Sequence, residues 1–275
     1  MFLTVIAWII GILLAIFALL CLIAVIRKPT TVYRSKPELQ NPMEGKTVRF
    51  VYDEKDCVNS DGVCGHLEVV GDRVIKGSRY ERFFKRALDI LISFFMLVVL
   101  SPVFLIITAA ILMDDPGPIL FTQRRVGQNK RYFQLHKFRS MKMSTPHDVP
   151  THMLERPEQF ITKVGWFLRA HSLDELPQIW DIFIGNMSLV GPRPALWNQD
   201  LLIAERERYC ANDVRPGLTG LAQLNGRDEL DIAEKARLDG EYVKNLGFSI
   251  DCRCFFSSLH VIRSDSSVVE GKNRE

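Results

Sequence analysis

The chain has 275 residues, of which 47% are apolar, 24% charged and 10% aromatic, so a disordered polymer, a collagen-like repeat and a disulfide scaffold are excluded. Thirty-five Lys and Arg against 32 Asp and Glu leave a formal charge of only +3, which excludes a polybasic tail but permits local basic clusters. Mean hydropathy is nonetheless slightly positive, so the apolar residues must be gathered into runs.

Residues 1–26 form the first run, 26 positions without an Asp, Glu, Lys, Arg or His. A bilayer-crossing helix needs roughly 20 apolar residues, so a transmembrane anchor is expected over 1–28. A cleaved signal peptide fits less well, because no basic leader precedes the run and no small-residue cleavage pattern precedes Arg27 and Lys28. Residues 29–81 read as a small β-rich insert, with short strands at 47–53 and 66–75 between Gly and Asp turns. Its Cys57, Cys64 and His66 lack a fourth local ligand and match no common zinc spacing, so they read as an incidental cluster. In a reducing cytoplasm the cysteines outside the membrane are expected to be thiols.

A second apolar run covers 87–113 and carries Ser101-Pro102 near its middle. Proline lacks the amide donor and clashes with the carbonyl four residues back, so the helix should bend there, with the Ser101 hydroxyl free to satisfy a released backbone group. Residues 29–86 hold eleven Lys and Arg, and residues 116–147 hold seven with no acid among them. Both flanks therefore belong on the cytoplasmic side, which favours a re-entrant helix-break-helix hairpin over 82–113 rather than a straight span. A buried helix of a soluble core is the bland alternative, and the run is long and aromatic for that role.

From residue 114 onward the pattern is that of one catalytic domain over 114–275. Strands are expected around Phe121 and over 132–138, helices over 162–170, 177–184 and 231–245, and an interfacial helix over 248–263. The fold class is thus an α+β membrane protein: a transmembrane helix, a re-entrant hairpin and a helix-rich cytoplasmic domain with short strands.

The densest candidate for chemistry is the segment from Arg169 to Gln178, with Asp174 and Glu175 adjacent. Ser172 and Glu175 have capping-box spacing, which would make the acids purely structural. Pro177 opposes that account, because a helix begun at Leu173 would carry proline at its fifth position; a helix begun at Pro177 avoids the clash. Asp174 and Glu175 would then sit just ahead of a helix N-terminus, where a metal-bound phosphate could share the site. Lys137 and Arg139 alternate with Phe138 in strand fashion, which serves either a phosphate or a solvated face. Gly191-Pro192-Arg193-Pro194 fixes the backbone around one guanidinium, and the Gly-rich region from Arg215 to Arg227 reads as tight turns. Walker, dinucleotide and HExxH patterns are absent. A membrane-dipped domain with a carboxylate pair among fixed arginines points to phosphoryl chemistry on a lipid.

At this point the sequence resembles the bacterial sugar transferase family, the monotopic polyprenyl-phosphate phosphoglycosyl transferases, over roughly residues 80–262. The matching pieces are Lys85-Arg86-x-x-Asp89 leading to Ser101-Pro102, then Phe121-x-Gln123-x-Arg125-x-Gly127 and Lys137-Phe138-Arg139-Ser140-Met141. They continue with Ser172-Leu-Asp-Glu-Leu-Pro-Gln178, Gly185-x-Met187-Ser-Leu-Val-Gly-Pro-Arg-Pro194 and Pro216-Gly-x-Thr-Gly-x-Ala-Gln223-x-Asn-Gly-Arg227. The resemblance implies transfer of a phosphosugar from a UDP-sugar to undecaprenyl phosphate with release of UMP and Mg²⁺ present, initiating exopolysaccharide or lipopolysaccharide assembly. By the family's motifs Asp174 would be the nucleophile and Glu175, with Asp174, would hold the metal. Lys137, Arg139 and Arg169 would lie near phosphate, Arg193 near the nucleotide, and Lys85, Arg86, Ser101 and Pro102 near the lipid acceptor. It also implies an inner-membrane location, pathway glycosyltransferases as partners and no nucleic acid. His171, Gly240 and the tail from Cys252 depart from the usual pattern, and the extension before residue 80 is too short for the additions of the family's large members. A non-catalytic scaffold binding anionic lipid and a metal-dependent lipid phosphatase are the rival functions.

Overall fold

The computed structural model describes residues 40–57, 60–73, 78–145, 157–226 and 230–264. The expected anchor over 1–28 and Arg227 lie outside them.

The insert begins with an antiparallel hairpin, β1 (Lys46–Tyr52) and β2 (Gly65–Asp72), in which Tyr52 pairs with Gly65 and Lys46 with Asp72. The loop beyond Tyr52 folds back through the Gly65 amide, which donates to the Asp56 carbonyl at 2.6 Å. This brings the Cα atoms of Cys57 and Cys64 to 4.1 Å, and the two are joined in a disulfide. The expectation of thiols there is corrected: a general argument about compartment misses a turn that places the sulfurs together. The hairpin packs on the rest of the chain. Val48 shares a core cluster with Val126, Ala195, Leu202 and Ile203, and Arg73 pairs with Glu207 at 2.5 Å and Asp213 at 2.9 Å.

A wide π-helical turn, Tyr80–Lys85, leads into α1 (Arg86–Val99), and α2 (Ser101–Asp114) follows at a bend of 59°. The bend has a local cause. In an unbroken helix the Val98 carbonyl would accept from residue 102, which is proline and has no donor. The Ser101 hydroxyl donates to that carbonyl instead, at 2.8 Å. No single helix among the described residues is long and apolar enough to cross a membrane, but the bent pair together has the length and composition. Its outer face exposes Leu91, Phe95, Val99, Ile106 and Met113, while Asp89, Ser93, Leu97, Ile107 and Ile111 face inward. Asp89 accepts from the Ser188 hydroxyl and the Leu189 amide, at 3.1 and 3.0 Å.

The second hairpin, β3 (Leu120–Val126) with β4 (Tyr132–Phe138), pairs Leu120 with Phe138 and Val126 with Tyr132. Then come α3 (Lys163–Ala170), capped by Thr162 at 2.9 Å, and α4 (Gln178–Ile184). β5 (Ser188–Val190) precedes α5 (Asp200–Glu207), and β6 (Gly217–Thr219) returns parallel to β5. The chain closes with α6 (Leu221–Leu224), α7 (Ile232–Lys244), capped by Asp231, and α8 (Phe248–Ser264). Asp61 of the insert caps α5, accepting from Leu201 at 2.7 Å and Leu202 at 3.2 Å. The central core joins Leu135, Ile182, Met187, Val190, Tyr242 and Cys254. Mixed helices and short strands match the α+β part of the expected class, and most of the predicted elements end within a residue or two of the expected positions; β2 stops at Asp72, and β5, α5, β6 and α6 are not anticipated by the sequence reading.

The Gly-rich region is a backbone crossing rather than a set of turns. Gly191 donates to Thr219 and Gly217 donates to Pro192, each at 2.8 Å, and a Cβ on Gly220 would stand 2.2 Å from the Gly191 oxygen. Gly220→Ala should therefore destabilise the fold by about 3 kcal/mol in chemical denaturation, because backbone has nowhere to yield. Gly71→Ala, where a Cβ meets nothing within 4 Å, should be near neutral in the same assay.

Candidate active site

The site grows from the junction between α3 and α4. Ser172 adopts a left-handed conformation, φ 53°, and its side chain caps nothing. The capping-box reading is thereby removed: the chain reverses at Ser172 and makes a single 3₁₀ turn over Leu173–Glu175. Pro177 then stands at the N-cap of α4, where its missing amide costs nothing. Leu173 and Leu176 pack against the cluster of Phe138, Leu168, Ile107 and Ile111, which holds the turn in place. Asp174 is only 6% exposed, and Glu175 stands beside it.

Two cations converge on Glu175. Lys137 Nζ, delivered by β4, lies 2.9 Å from Oε1, and Arg193 Nη2, delivered by the loop after β5, lies 3.1 Å from the same oxygen. Burial alone would push this carboxyl up. The charges and hydrogen bonds of Lys137 and Arg193 outweigh it and hold Glu175 well below the usual carboxylate range. The arginine is held by its backbone: Gly191 is bonded to Thr219, the Pro194 carbonyl accepts from Arg125 Nη1 at 2.9 Å and the Ala195 carbonyl accepts from Val126 at 2.9 Å.

The other predicted residues stand in different company. Arg139 is buried and turns back to Asp115, bonding its carboxylate at 2.8 Å and its carbonyl. Arg169 Nε donates to the Ser140 hydroxyl at 2.9 Å, and its Nη1 is buried without a hydrogen-bond partner. Lys85 pairs with Asp251 at 2.7 Å, and Arg86 donates to the Ile182 and Phe183 carbonyls, each at 2.7 Å, closing the C-terminus of α4. Ser101 and Pro102 form the bend. The structure thus brings Lys137, Glu175 and Arg193 together, places Asp174 alongside, and gives Arg139, Arg169, Lys85 and Arg86 protein partners of their own.

Among the described residues no three His, Cys, Asp or Glu side chains are grouped to hold a metal. The two adjacent carboxylates suit a cation that takes one or two protein oxygens and draws the rest of its shell from water and phosphate. Sequence reasoning gave no role to several polar groups near these elements. Asp181, at 0% exposure, binds the amide and ring of His136. Asp115 is the partner of Arg139. Gln223 keeps both amide atoms buried with no hydrogen-bond partner. Of the departures from the family pattern, Gly240 is explained by packing, since a Cβ there would stand 2.4 Å from Cβ of Tyr209.

A carboxyl with a depressed folded pKa contributes stability above its unfolded pKa of about 4.3 and loses it as pH falls through the folded value. Lys137→Met should accordingly cost about 2 kcal/mol near pH 7, with the difference from the parent shrinking as pH is lowered below about 4, read from denaturant midpoints across pH.

Residues 80–265 match the family described as bacterial sugar transferase. The chain is 37% identical over 192 residues to an undecaprenyl-phosphate glucose phosphotransferase of Komagataeibacter xylinus, a match covering 66% of this chain and 36% of that protein. It is 36% identical over 204 residues to an undecaprenyl-phosphate galactose phosphotransferase of Salmonella typhimurium, covering 67% of this chain and 41% of the relative. An exopolysaccharide production protein of Sinorhizobium fredii is 34% identical over 193 residues, with 65% of this chain and 84% of the relative covered. The match spans only about two fifths of the length of the glucose and galactose phosphotransferases. With residues 80–265 matched, the larger part of its length, the chain belongs to the bacterial sugar transferase family.

Proposed function

We propose that the protein is a polyprenyl-phosphate phosphoglycosyl transferase that moves a phosphosugar from a UDP-sugar to undecaprenyl phosphate and so initiates assembly of a surface glycan. The observation that carries this is the adjacent carboxylates of buried Asp174 and half-buried Glu175, with Glu175 bridged to Lys137 and Arg193; the names of the relatives support the substrate class.

In this reading the Asp174 carboxylate attacks the sugar-bearing phosphorus of the donor. The bond from that phosphorus to the bridging oxygen breaks, and UMP leaves with the oxygen and its electron pair. An oxygen of undecaprenyl phosphate then attacks the same phosphorus, the bond to Asp174 breaks, and the carboxylate is regenerated. Aspartate is ionised near neutral pH and needs no base. Lys137 and Arg193 place fixed positive charge where the transferring oxygens gain negative charge. Mg²⁺, held by Asp174 and Glu175 with the diphosphate, would lower the repulsion between two anions. Arg169, with one buried nitrogen unbonded, is available to a phosphate oxygen.

The bent pair α1–α2 is read as a re-entrant hairpin in the inner membrane, with the catalytic domain on the cytoplasmic side. The exposed Phe83 and Phe84 at its base and Phe248 and Phe256 on α8 support an interfacial setting. The acceptor phosphate would approach along the side carrying Lys85, Arg86, Ser101 and Pro102. Later glycosyltransferases of the pathway are the natural partners.

Asp174→Asn should lower UMP release from UDP-sugar, Mg²⁺ and undecaprenyl phosphate by at least about 10³-fold and abolish the phosphosugar adduct seen by intact mass, with folding unchanged. Retained turnover would reject Asp174 as nucleophile, and net hydrolysis without acceptor would favour a phosphatase. For topology, maleimide labelling of Ser78→Cys and Arg131→Cys in oriented vesicles should occur from one face; labelling from opposite faces would reject the hairpin.

A further inference from the structure

β4 delivers Lys137 to the site, yet among the described residues it is paired along one edge only, with β3. At His136 the open edge meets α4. The His136 amide donates to Asp181 Oδ2 at 2.9 Å, and its ring Nδ1 lies 2.8 Å from Asp181 Oδ1. A carboxylate only accepts, so Nδ1 carries the proton of this bond. Asp181 is 0% exposed and sits between the core residues Ile179 and Ile182. Its two oxygens are both taken by one residue of the neighbouring strand.

The position of this contact matters. His136 immediately precedes Lys137, and Asp181 lies on the helix that immediately follows the Leu173–Glu175 turn. The bidentate contact therefore joins the two elements that carry the two ends of the Lys137–Glu175 ion pair. The amide bond alone would hold the strand edge; the ring bond adds a second point of attachment and so fixes rotation as well as distance. A small shift in the reach of a lysine is enough to cost transition-state stabilisation.

We infer that His136 and Asp181 are a positioning pair for phosphoryl transfer, setting the reach of Lys137 toward Glu175 and the donor phosphates without touching substrate. This rests on the reading of the site given under Proposed function.

The test uses the full-length protein in detergent or nanodiscs, with single-turnover formation of the Asp174 adduct, steady-state kcat and KM for the UDP-sugar, and thermal midpoint measured together. His136→Leu keeps the amide and loses the ring donor. It should lower kcat and the adduct rate about tenfold while KM moves less than about twofold, and His136→Asn, whose amide nitrogen can stand in for Nδ1, should recover activity to within about threefold of the parent. Asp181→Asn, which keeps an acceptor for the strand amide, should show the same kcat-selective loss and serves if His136→Leu does not fold. Parent-like adduct rates in His136→Leu or Asp181→Asn would overturn the pairing's role. So would equal losses in His136→Leu and His136→Asn that track the thermal midpoint. Absence of any Asp174 adduct in the parent protein would instead reject the underlying reading of the site.

Discussion

Two cations share one oxygen of one largely buried glutamate, and the remainder of the catalytic body is arranged so that they can. Lys137 comes from a strand and Arg193 from the loop after a different strand, so their convergence on Glu175 requires β4, the α3–α4 turn and the β5–β6 crossing to hold fixed mutual positions. Taking Glu175 out of water would alone favour its neutral form, and the paired charges reverse that preference. An ion pair of this kind is weak as a source of stability, because desolvation offsets much of the attraction. Under the proposed reaction its value lies in keeping positive charge preorganised beside Asp174, where water would otherwise have to reorganise during phosphoryl transfer.

Each supporting element has its own simple cause. Proline at 102 removes one donor, the neighbouring serine replaces it, and the apolar hairpin bends. Gly191, Gly217 and Gly220 let two backbone segments cross closer than any side chain allows, which seats the loop carrying Arg193. The insert adds a further brace, since Asp61 caps α5 and Val48 enters the cluster that backs residues 195–203.

Much of this was legible in the sequence. Pro177 forbids a helix starting at Leu173, so the start of α4 could be placed from the ring's sterics alone, and with it the location of Asp174 and Glu175. The bend at Ser101-Pro102 followed from the same chemistry. Other features were hidden for identifiable reasons. Ser172 and Glu175 have the spacing of a cap, but spacing carries no information about the left-handed backbone that Ser172 adopts. Lys137 and Arg139 share a strand face by alternation, yet the longer guanidinium folds back to Asp115, a partner 24 residues away. His136 and Asp181 are 45 positions apart, and a helical aspartate reads as solvated until its neighbours are known. The Cys57–Cys64 bond was missed because compartment was weighed where turn geometry decides.

Asp251 of α8 gathers three donors: the Lys85 ammonium at 2.7 Å, the Tyr80 hydroxyl at 2.9 Å and the Tyr242 hydroxyl at 2.7 Å. Lys85 and Tyr80 belong to the foot of the apolar hairpin, while the Tyr242 hydroxyl oxygen also lies 3.1 Å from the Val190 carbonyl of β5. The hairpin is therefore not hinged to the body by a supple stalk. In the proposed re-entrant setting, a change in bilayer thickness or lateral pressure that tilts the α1–α2 pair would be felt as torque at β5, the strand leading to Arg193, which would make the lipid environment and the chemistry one mechanical unit.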